Sequence, residues 1–251
     1  MADTSPQAAA RAAGASYIAL FFLGFLANFL AVGSVVHDDP RATFTDLAAS
    51  QTQFRAGIAA FLVVLILDIV IAWGLLVLLR EVRRDLALLA AWFRLVYTAI
   101  LGLAVVFLYA ALQATGDDQA LSAFTQDQLD AAAQLSLDTF EFAFVFGLAC
   151  FGVHLILIGR LVVLAGSAPT LLGRLLMVAG AAYAVDGLAH ILLSDYERYA
   201  DAFMVVVAVS AVVAEVWLGV WLVRVGWARR PLPDSDPSHP VGSGAERPQR
   251  A

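Results

Sequence analysis

The feature that most constrains this chain is a set of six uninterrupted apolar runs, each about as long as a lipid bilayer is thick. A bilayer core of about 30 Å is crossed by roughly 20 helical residues at 1.5 Å rise per residue. The runs do not alternate polar and apolar residues, as a membrane β-strand would. A helix also satisfies its own backbone hydrogen bonds in hydrocarbon. The sequence therefore predicts an all-α integral membrane bundle of six transmembrane helices, over residues 17–36, 56–79, 86–112, 139–158, 171–192 and 202–223.

Composition supports a lipid environment and excludes some partners. Hydrophobic residues make up 61% of the 251 residues and charged residues 14%, whereas soluble domains carry about 25% charged residues. No basic patch suits nucleic acid. Cys150 is the only cysteine, so the chain can form no intrachain disulfide. The expected partners are the lipid bilayer and a proton, cation or small solute, and the sequence does not indicate an oligomeric state.

Arginine predicts the orientation, because cytoplasmic loops are enriched in basic residues. Nine arginines lie in segments 1–16, 80–85, 159–174 and 224–230, against three in the opposite loops: Arg41, Arg55 and Arg198. Both termini are therefore predicted to be cytoplasmic. The predicted organisation is a cytoplasmic segment (1–16), a membrane domain (17–227) and a disordered, proline-rich cytoplasmic tail (228–251). The abundance of arginine and alanine favours a bacterial source, and hence the bacterial cytoplasmic (inner) membrane.

Two long connections carry further helix signals. Thr125 and Gln128 have the spacing of a capping box, which predicts a helix that starts there and runs into the fourth span. Segment 41–55 is predicted to extend the second span outward. In the fifth span, Gly180, Ala184 and Gly187 form a stripe of small residues, which is typical of close helix packing.

Polar residues within the spans are the candidate site. An ionisable residue inside a span costs about 2.5–3.5 kcal/mol on insertion scales, so each one is a functional hypothesis. Structural hydrogen bonding between helices is the competing interpretation of every one of them. The candidates are Asp68, Arg94, His154, Tyr183, Asp186, His190 and Glu215.

Spacing and depth predict how these residues are grouped. Tyr183, Asp186 and His190 follow i, i+3, i+7 spacing and share one helix face. Arg94 and Glu215 have similar predicted depth and opposite charge, so an ion pair is expected. Asp68 and Asp186 are both placed near mid-depth and are expected to share a polar cavity.

The buried charges do not balance, because the three carboxylates Asp68, Asp186 and Glu215 face one arginine, Arg94. At least one carboxylate must then be protonated, paired with a protonated histidine or bound to a cation. Asp186 and His190 could also be two metal ligands. Zinc needs three or four, and no other ligand is identified by spacing, so metals and cofactors stay unspecified.

Several stretches resemble a bacterial membrane family known as domain of unknown function 4386. The resemblance runs from about residue 11 to residue 227 and is carried by the following motifs: AAG at 12–14, FRAGI at 54–58, LDIV at 67–70, LLAAWFRLV at 88–96, FGVHL at 151–155 with Gly159, YAVDGLAH at 183–190, and AEVW at 214–217 with WL at 221–222. It implies a polytopic bacterial membrane protein and brings no established activity, cofactor or catalytic residue.

Three functions fit these observations. The first is a small transporter or permeation protein coupled to protons or cations, which the excess of buried acid favours. The second is a non-catalytic membrane sensor or assembly subunit, which a dry and fully paired interior would favour. The third is a metal-dependent intramembrane enzyme using His154, Asp186 and His190, which three converging ligands would favour. No motif indicates catalysis, so a non-enzymatic function is preferred.

Overall fold

The computed structural model describes residues 4–116, 119–166 and 168–228, and the side chain of Glu197 is not described. Within these ranges the chain is helical and contains no strand. Seven α-helices are formed: α1 (Pro6–Asn28), α2 (Pro40–Ala49), α3 (Gln51–Leu79), α4 (Arg84–Ala114), α5 (Gln126–Ala165), α6 (Thr170–Leu192) and α7 (Ala200–Gly226). Six of them, all except α2, are long and apolar enough to cross a membrane. The predicted fold class is therefore confirmed.

The six spans form a closed ring in chain order. Each span packs against the next one along the chain, and α7 returns to pack against α1. The short connections after α3, α5 and α6 favour this arrangement, because a short connection makes successive helices antiparallel neighbours. Six antiparallel spans place Pro6 and Gly226 at one end of the bundle, together with Arg80, Arg84, Arg160 and Arg174. We call this the arginine-rich end. We call the opposite end, which carries Asp46, Asp127 and Asp201, the acidic end.

The first span begins earlier than predicted. Ser5 caps α1 by accepting a hydrogen bond from the Ala8 backbone N–H, and Pro6 occupies the first helical turn. The helix thus starts at residue 6 rather than 17, and five π-helical residues, Phe29–Gly33, continue it. Residues 6–16, predicted to be a separate segment, extend the first helix. The predicted tail lies almost wholly outside the described residues.

The helical signals in the connections have different outcomes. Thr125 and Gln128 form the predicted capping box, and α5 runs unbroken for 40 residues into the fourth span. Segment 41–55 is not one outward extension of the second span, because the helix breaks at Ser50 and the part before it is α2. Helix α2 packs on α5, and Arg41 pairs with the buried Asp130 at 3.0 Å. These contacts hold α2 against the side of α5 at that end of the bundle.

Candidate functional site

One polar side chain from each span lies at the same level of the ring. The six are Tyr17, Asp68, Arg94, His154, Tyr183 and Glu215, on α1, α3, α4, α5, α6 and α7 respectively. Each lies ten to thirteen residues from the arginine-rich end of its helix, or about 15–20 Å at 1.5 Å per residue. That depth is about half the thickness of a bilayer core. We call this set the polar layer.

Asp68 and Arg94 form a buried ion pair within this layer. The Oδ1 atom of Asp68 accepts hydrogen bonds from Nε of Arg94 at 2.9 Å and from Nη2 at 2.6 Å. The two side chains are only 2% and 1% exposed. Because both hydrogen bonds end on one oxygen, Oδ2 of Asp68 is buried without a hydrogen-bond partner.

His154 supports Arg94 from the neighbouring helix. Its Nδ1 lies 2.8 Å from the Ala90 carbonyl oxygen, which can only accept, so Nδ1 carries the proton. Its Nε2 lies 3.2 Å from Nη1 of Arg94, which can only donate, so Nε2 accepts. The two contacts together assign a neutral imidazole. His154 is thus a hydrogen-bonded bundle residue, fully buried.

Aromatic rings complete the surroundings of Arg94. Its guanidinium carbon lies 5.2 Å from the ring centroids of both Tyr17 and Phe151, within cation–π range. Arg94 is therefore engaged by Asp68, His154 and two rings. The predicted Arg94–Glu215 ion pair is wrong: Asp68, on the adjacent helix α3, takes that place.

Glu215 has hydroxyl partners instead of a cation. Tyr17 donates to its Oε2 and Tyr183 to its Oε1, each at 3.2 Å. Neither an arginine nor a histidine of the described residues lies within ion-pair distance of this carboxylate. Glu215 is the carboxyl group of the polar layer that lacks a positively charged partner.

The polar layer borders a cavity of about 240 Å³ at the centre of the ring, which we call the central cavity. Phenylalanine and leucine side chains of α1, α3, α4 and α5 form most of its apolar wall. Its polar wall consists of Tyr17, Asn28, Asp68, Arg94, Tyr97, Tyr183 and Glu215. The interior of the bundle is therefore neither fully packed nor fully apolar.

A second cavity of about 620 Å³, the vestibule, lies toward the acidic end. Tyr183, Asp186 and His190 all line it, so their predicted common face does border a polar cavity. The hydroxyl of Tyr196 donates to Oδ1 of Asp186 at 2.9 Å. The ring of Tyr196 also packs edge-on against His190, with centroids 4.4 Å apart. The buried Nδ1 of His190 has no hydrogen-bond partner.

Asp68 does not line the vestibule. The prediction that Asp68 and Asp186 share a cavity is therefore also wrong. Helix α6 ends at Leu192, so Asp186 lies six residues, or about 9 Å, from the acidic end. Asp68 lies near the middle of the longer α3. The two carboxylates line different cavities, although Asn28 and Tyr183 line both.

The three proposed metal ligands do not converge. His154 contacts Arg94 and Ala90 in the polar layer, whereas Asp186 and His190 line the vestibule. Throughout the described ranges, no three His, Cys, Asp or Glu side chains are grouped as a metal ion would require. The three converging ligands that would favour a metal-dependent enzyme are therefore not found among the described residues.

Sequence reasoning missed Tyr17 and Phe151. With the first span placed at 17–36, Tyr17 stands at a predicted membrane surface, where tyrosine is common. The Ser-Pro start at residues 5 and 6, followed by apolar alanines, is the signal that would have moved it to mid-depth. Phe151 has no such signal, because phenylalanine is ordinary in an apolar span.

The ring of six spans with a polar layer at mid-depth defines a multi-pass helical membrane protein. The family model described as domain of unknown function (DUF4386) matches residues 12–226. The chain belongs to this family, which confirms the resemblance found in its motifs. No curated protein and no solved structure matches the chain.

Proposed function

We propose that this protein is a small membrane transporter or permeation protein coupled to protons or monovalent cations, with Glu215 as the group that takes up the ion. One observation carries the proposal: Glu215 borders a mid-depth cavity and has two tyrosine partners but no cationic one. An isolated carboxylate is costly in a bilayer. It is neutralised either by a proton or by a cation in the cavity, and both events are reversible binding.

A second cavity next to the one that Glu215 borders supports the proposal. The vestibule and the central cavity share the side chains of Asn28, Phe140, Phe144, Leu148 and Tyr183 as a common wall. The vestibule also carries Glu141, Asp186 and Asp201, which favour cations over anions. Tyr183 lines both cavities and donates to Glu215, so it is the proposed link between the acidic end and the site.

The proposed orientation places the acidic end outside, with both termini in the cytoplasm of a bacterium. It rests on the distribution of arginine between the two ends of the bundle. In that orientation the vestibule faces the medium, and the membrane potential, negative inside, draws cations toward Glu215.

The test is proton flux into liposomes that contain the purified protein and a trapped pH-sensitive dye. An imposed pH gradient should acidify the lumen faster with wild-type protein than with empty liposomes. Glu215→Gln keeps the side-chain shape and a hydrogen-bonding partner for each tyrosine, and should reduce the rate to background. Asp138→Asn is the matched control, because Asp138 is an exposed acid outside both cavities. Flux that is equal in wild type and Glu215→Gln, under a proton gradient and under gradients of Na⁺ and K⁺, would overturn the proposal.

A further inference from the structure

We propose that the central cavity binds a lipophilic organic ammonium ion of single charge, and that this ion and a proton on Glu215 exclude one another. The inference rests on the proposed function and names the substrate class for the same site. Its support comes from the charge, the hydrogen-bonding capacity, the walls and the surroundings of the cavity.

The charged groups around Glu215 offset one another, so ionised Glu215 has no counter-charge of its own. Asp68 on α3 and Arg94 on α4 offset each other, and His154 on α5 is neutral by its hydrogen bonds. The other facing groups are the hydroxyls of Tyr17, Tyr97 and Tyr183, on α1, α4 and α6. Ionised Glu215 therefore leaves the cavity with a net charge of minus one. Either a proton or one monovalent cation neutralises it, and binding of one displaces the other.

Hydrogen bonding in the cavity favours a ligand with N–H groups. The Oδ2 atom of Asp68 is buried and has no partner, while Oδ1 takes both hydrogen bonds from Arg94. Because Oδ2 of Asp68 is buried out of reach of the cavity, a ligand there meets the Glu215 carboxylate instead. An ammonium head group can donate hydrogen bonds to Glu215, whereas a bare metal cation cannot donate at all.

The apolar walls of the central cavity favour a ligand whose ammonium group is attached to an aromatic or aliphatic group. Phe61, Phe140 and Phe144 line the cavity, with Phe61 and Phe140 edge-to-face at 5.6 Å and Phe140 and Phe144 stacked at 6.1 Å. Ring faces attract cations and bury apolar surface. The volume of about 240 Å³ lies below the roughly 300–1,000 Å³ of drug-sized pockets. The ligand is therefore small, on the scale of one aromatic ring with a short amine.

The cavity also adjoins the lipid-facing side of the bundle between α1 and α7. Tyr17, Phe21 and Glu215 line both the central cavity and a smaller cavity of about 130 Å³. That smaller cavity includes Ile18 and Phe22, which are 37% and 69% exposed on the lipid-facing surface. A molecule dissolved in the hydrocarbon can therefore approach Glu215 from the side, which favours lipophilic amines over hydrophilic ones.

Calorimetric titration of the purified full-length protein tests this inference. The probes are 2-phenylethylamine, which is cationic because an alkyl ammonium resembles that of lysine with a pKa of about 10.4, and 2-phenylethanol, a neutral molecule of similar shape. The amine should bind more tightly than the alcohol. Its affinity should fall by up to about tenfold per unit of decreasing pH, because one proton competes with one cation. The affinity of the alcohol should not change with pH.

Two variants decide whether Glu215 is the competing group. Glu215→Gln should weaken amine binding by about tenfold or more and remove its pH dependence, because the charge that both ligands neutralise is gone. Asp138→Asn should bind the amine like wild type. A monodisperse elution profile and an unchanged unfolding midpoint show that Glu215→Gln is folded.

The outcomes separate this inference from the proposed function. Equal binding of amine and alcohol, or amine binding indifferent to pH and to Glu215→Gln, would overturn the substrate class. If proton flux that requires Glu215 persists in that case, the proposed function stands alone. Amine binding that requires Glu215, in a protein without ion flux, would instead overturn transport and leave a ligand-binding membrane protein.

Discussion

Arg94 and Glu215 carry opposite charges at nearly the same depth, yet their surroundings differ. Arg94 has a carboxylate, an imidazole and two rings around it, whereas Glu215 has two hydroxyl groups and a cavity. Because Glu215 lacks a cationic partner, we assign it a functional rather than a structural role. Asp68, Arg94 and His154 satisfy one another and are better explained as structural, apart from the free Oδ2 of Asp68.

A double-mutant cycle should show that Asp68 and Arg94 are coupled. Removing one partner of a buried ion pair strands the other charge and costs about 3–5 kcal/mol. Arg94→Met and Asp68→Leu should each lower stability by that amount, and the double variant should lose less than the sum. The measurement is the free energy of unfolding of the solubilised protein. Additive losses would mean that the two residues are not a coupled pair.

His154→Phe should cost about 1–3 kcal/mol, because Nη1 of Arg94 loses its buried acceptor. The imidazole is neutral in the folded protein, whereas in the unfolded chain it takes up a proton below an ordinary histidine pKa of about 6.5. Proton uptake on unfolding destabilises the wild type near pH 6 but not the Phe variant, so the loss should be smaller at about pH 6 than at about pH 8, by up to about 1 kcal/mol. Unfolding measured at both pH values checks this expectation. An equal loss at both would mean that folded His154 takes up a proton as an ordinary histidine does.

At the scale of helices, the sequence predicted the six spans and the start of α5 but not the contacts between side chains. Apolar length and a capping box are local signals, so they place a residue along a helix axis. Which neighbour a residue faces depends on its angular position around that axis and on helix packing, and neither is readable from one span. Depth and opposite charge therefore predict a pair of Glu215 with Arg94. A first span that starts at residue 17 places Tyr17 at the membrane surface, whereas α1 begins at Pro6.

The contact between α5 and α6 provides a prediction at this scale. A Cβ atom added at Gly180 would collide with the Gly152 carbonyl oxygen and lie 2.9 Å from the Ile156 backbone nitrogen. Gly180→Ala should therefore separate the helices and lower stability by about 1–3 kcal/mol. Gly102→Ala is the control, because its Cβ would meet only Leu65 Cδ1, at an ordinary 3.5 Å. Equal unfolding midpoints for the two variants would contradict the close packing.

For the whole molecule, the ring of spans explains how one chain builds a polar interior. Each span contributes one side chain to the polar layer, and the return of α7 to α1 brings Glu215 beside Tyr17. That closure joins residues nearly two hundred positions apart, and no local pattern in the sequence predicts it.

The orientation is a prediction for the whole molecule. A reporter fused at Gly116, at the acidic end, should be active only in its extracytoplasmic form, and one fused after the C-terminus only in its cytoplasmic form. Nine arginines against three give the physical reason. A cytoplasmic signal at Gly116 would mean that the vestibule faces the cytoplasm, and it would contradict the proposed direction of cation entry.

We propose above that Glu215 is a mid-depth carboxyl group that exchanges a proton. Infrared difference spectroscopy of the reconstituted protein measures this directly, because a protonated carboxyl group has a C=O stretch that the carboxylate lacks. We expect a band that disappears as pH rises and that is absent from Glu215→Gln but present in Asp138→Asn. A spectrum of Glu215→Gln identical to that of wild type across the pH range would contradict it.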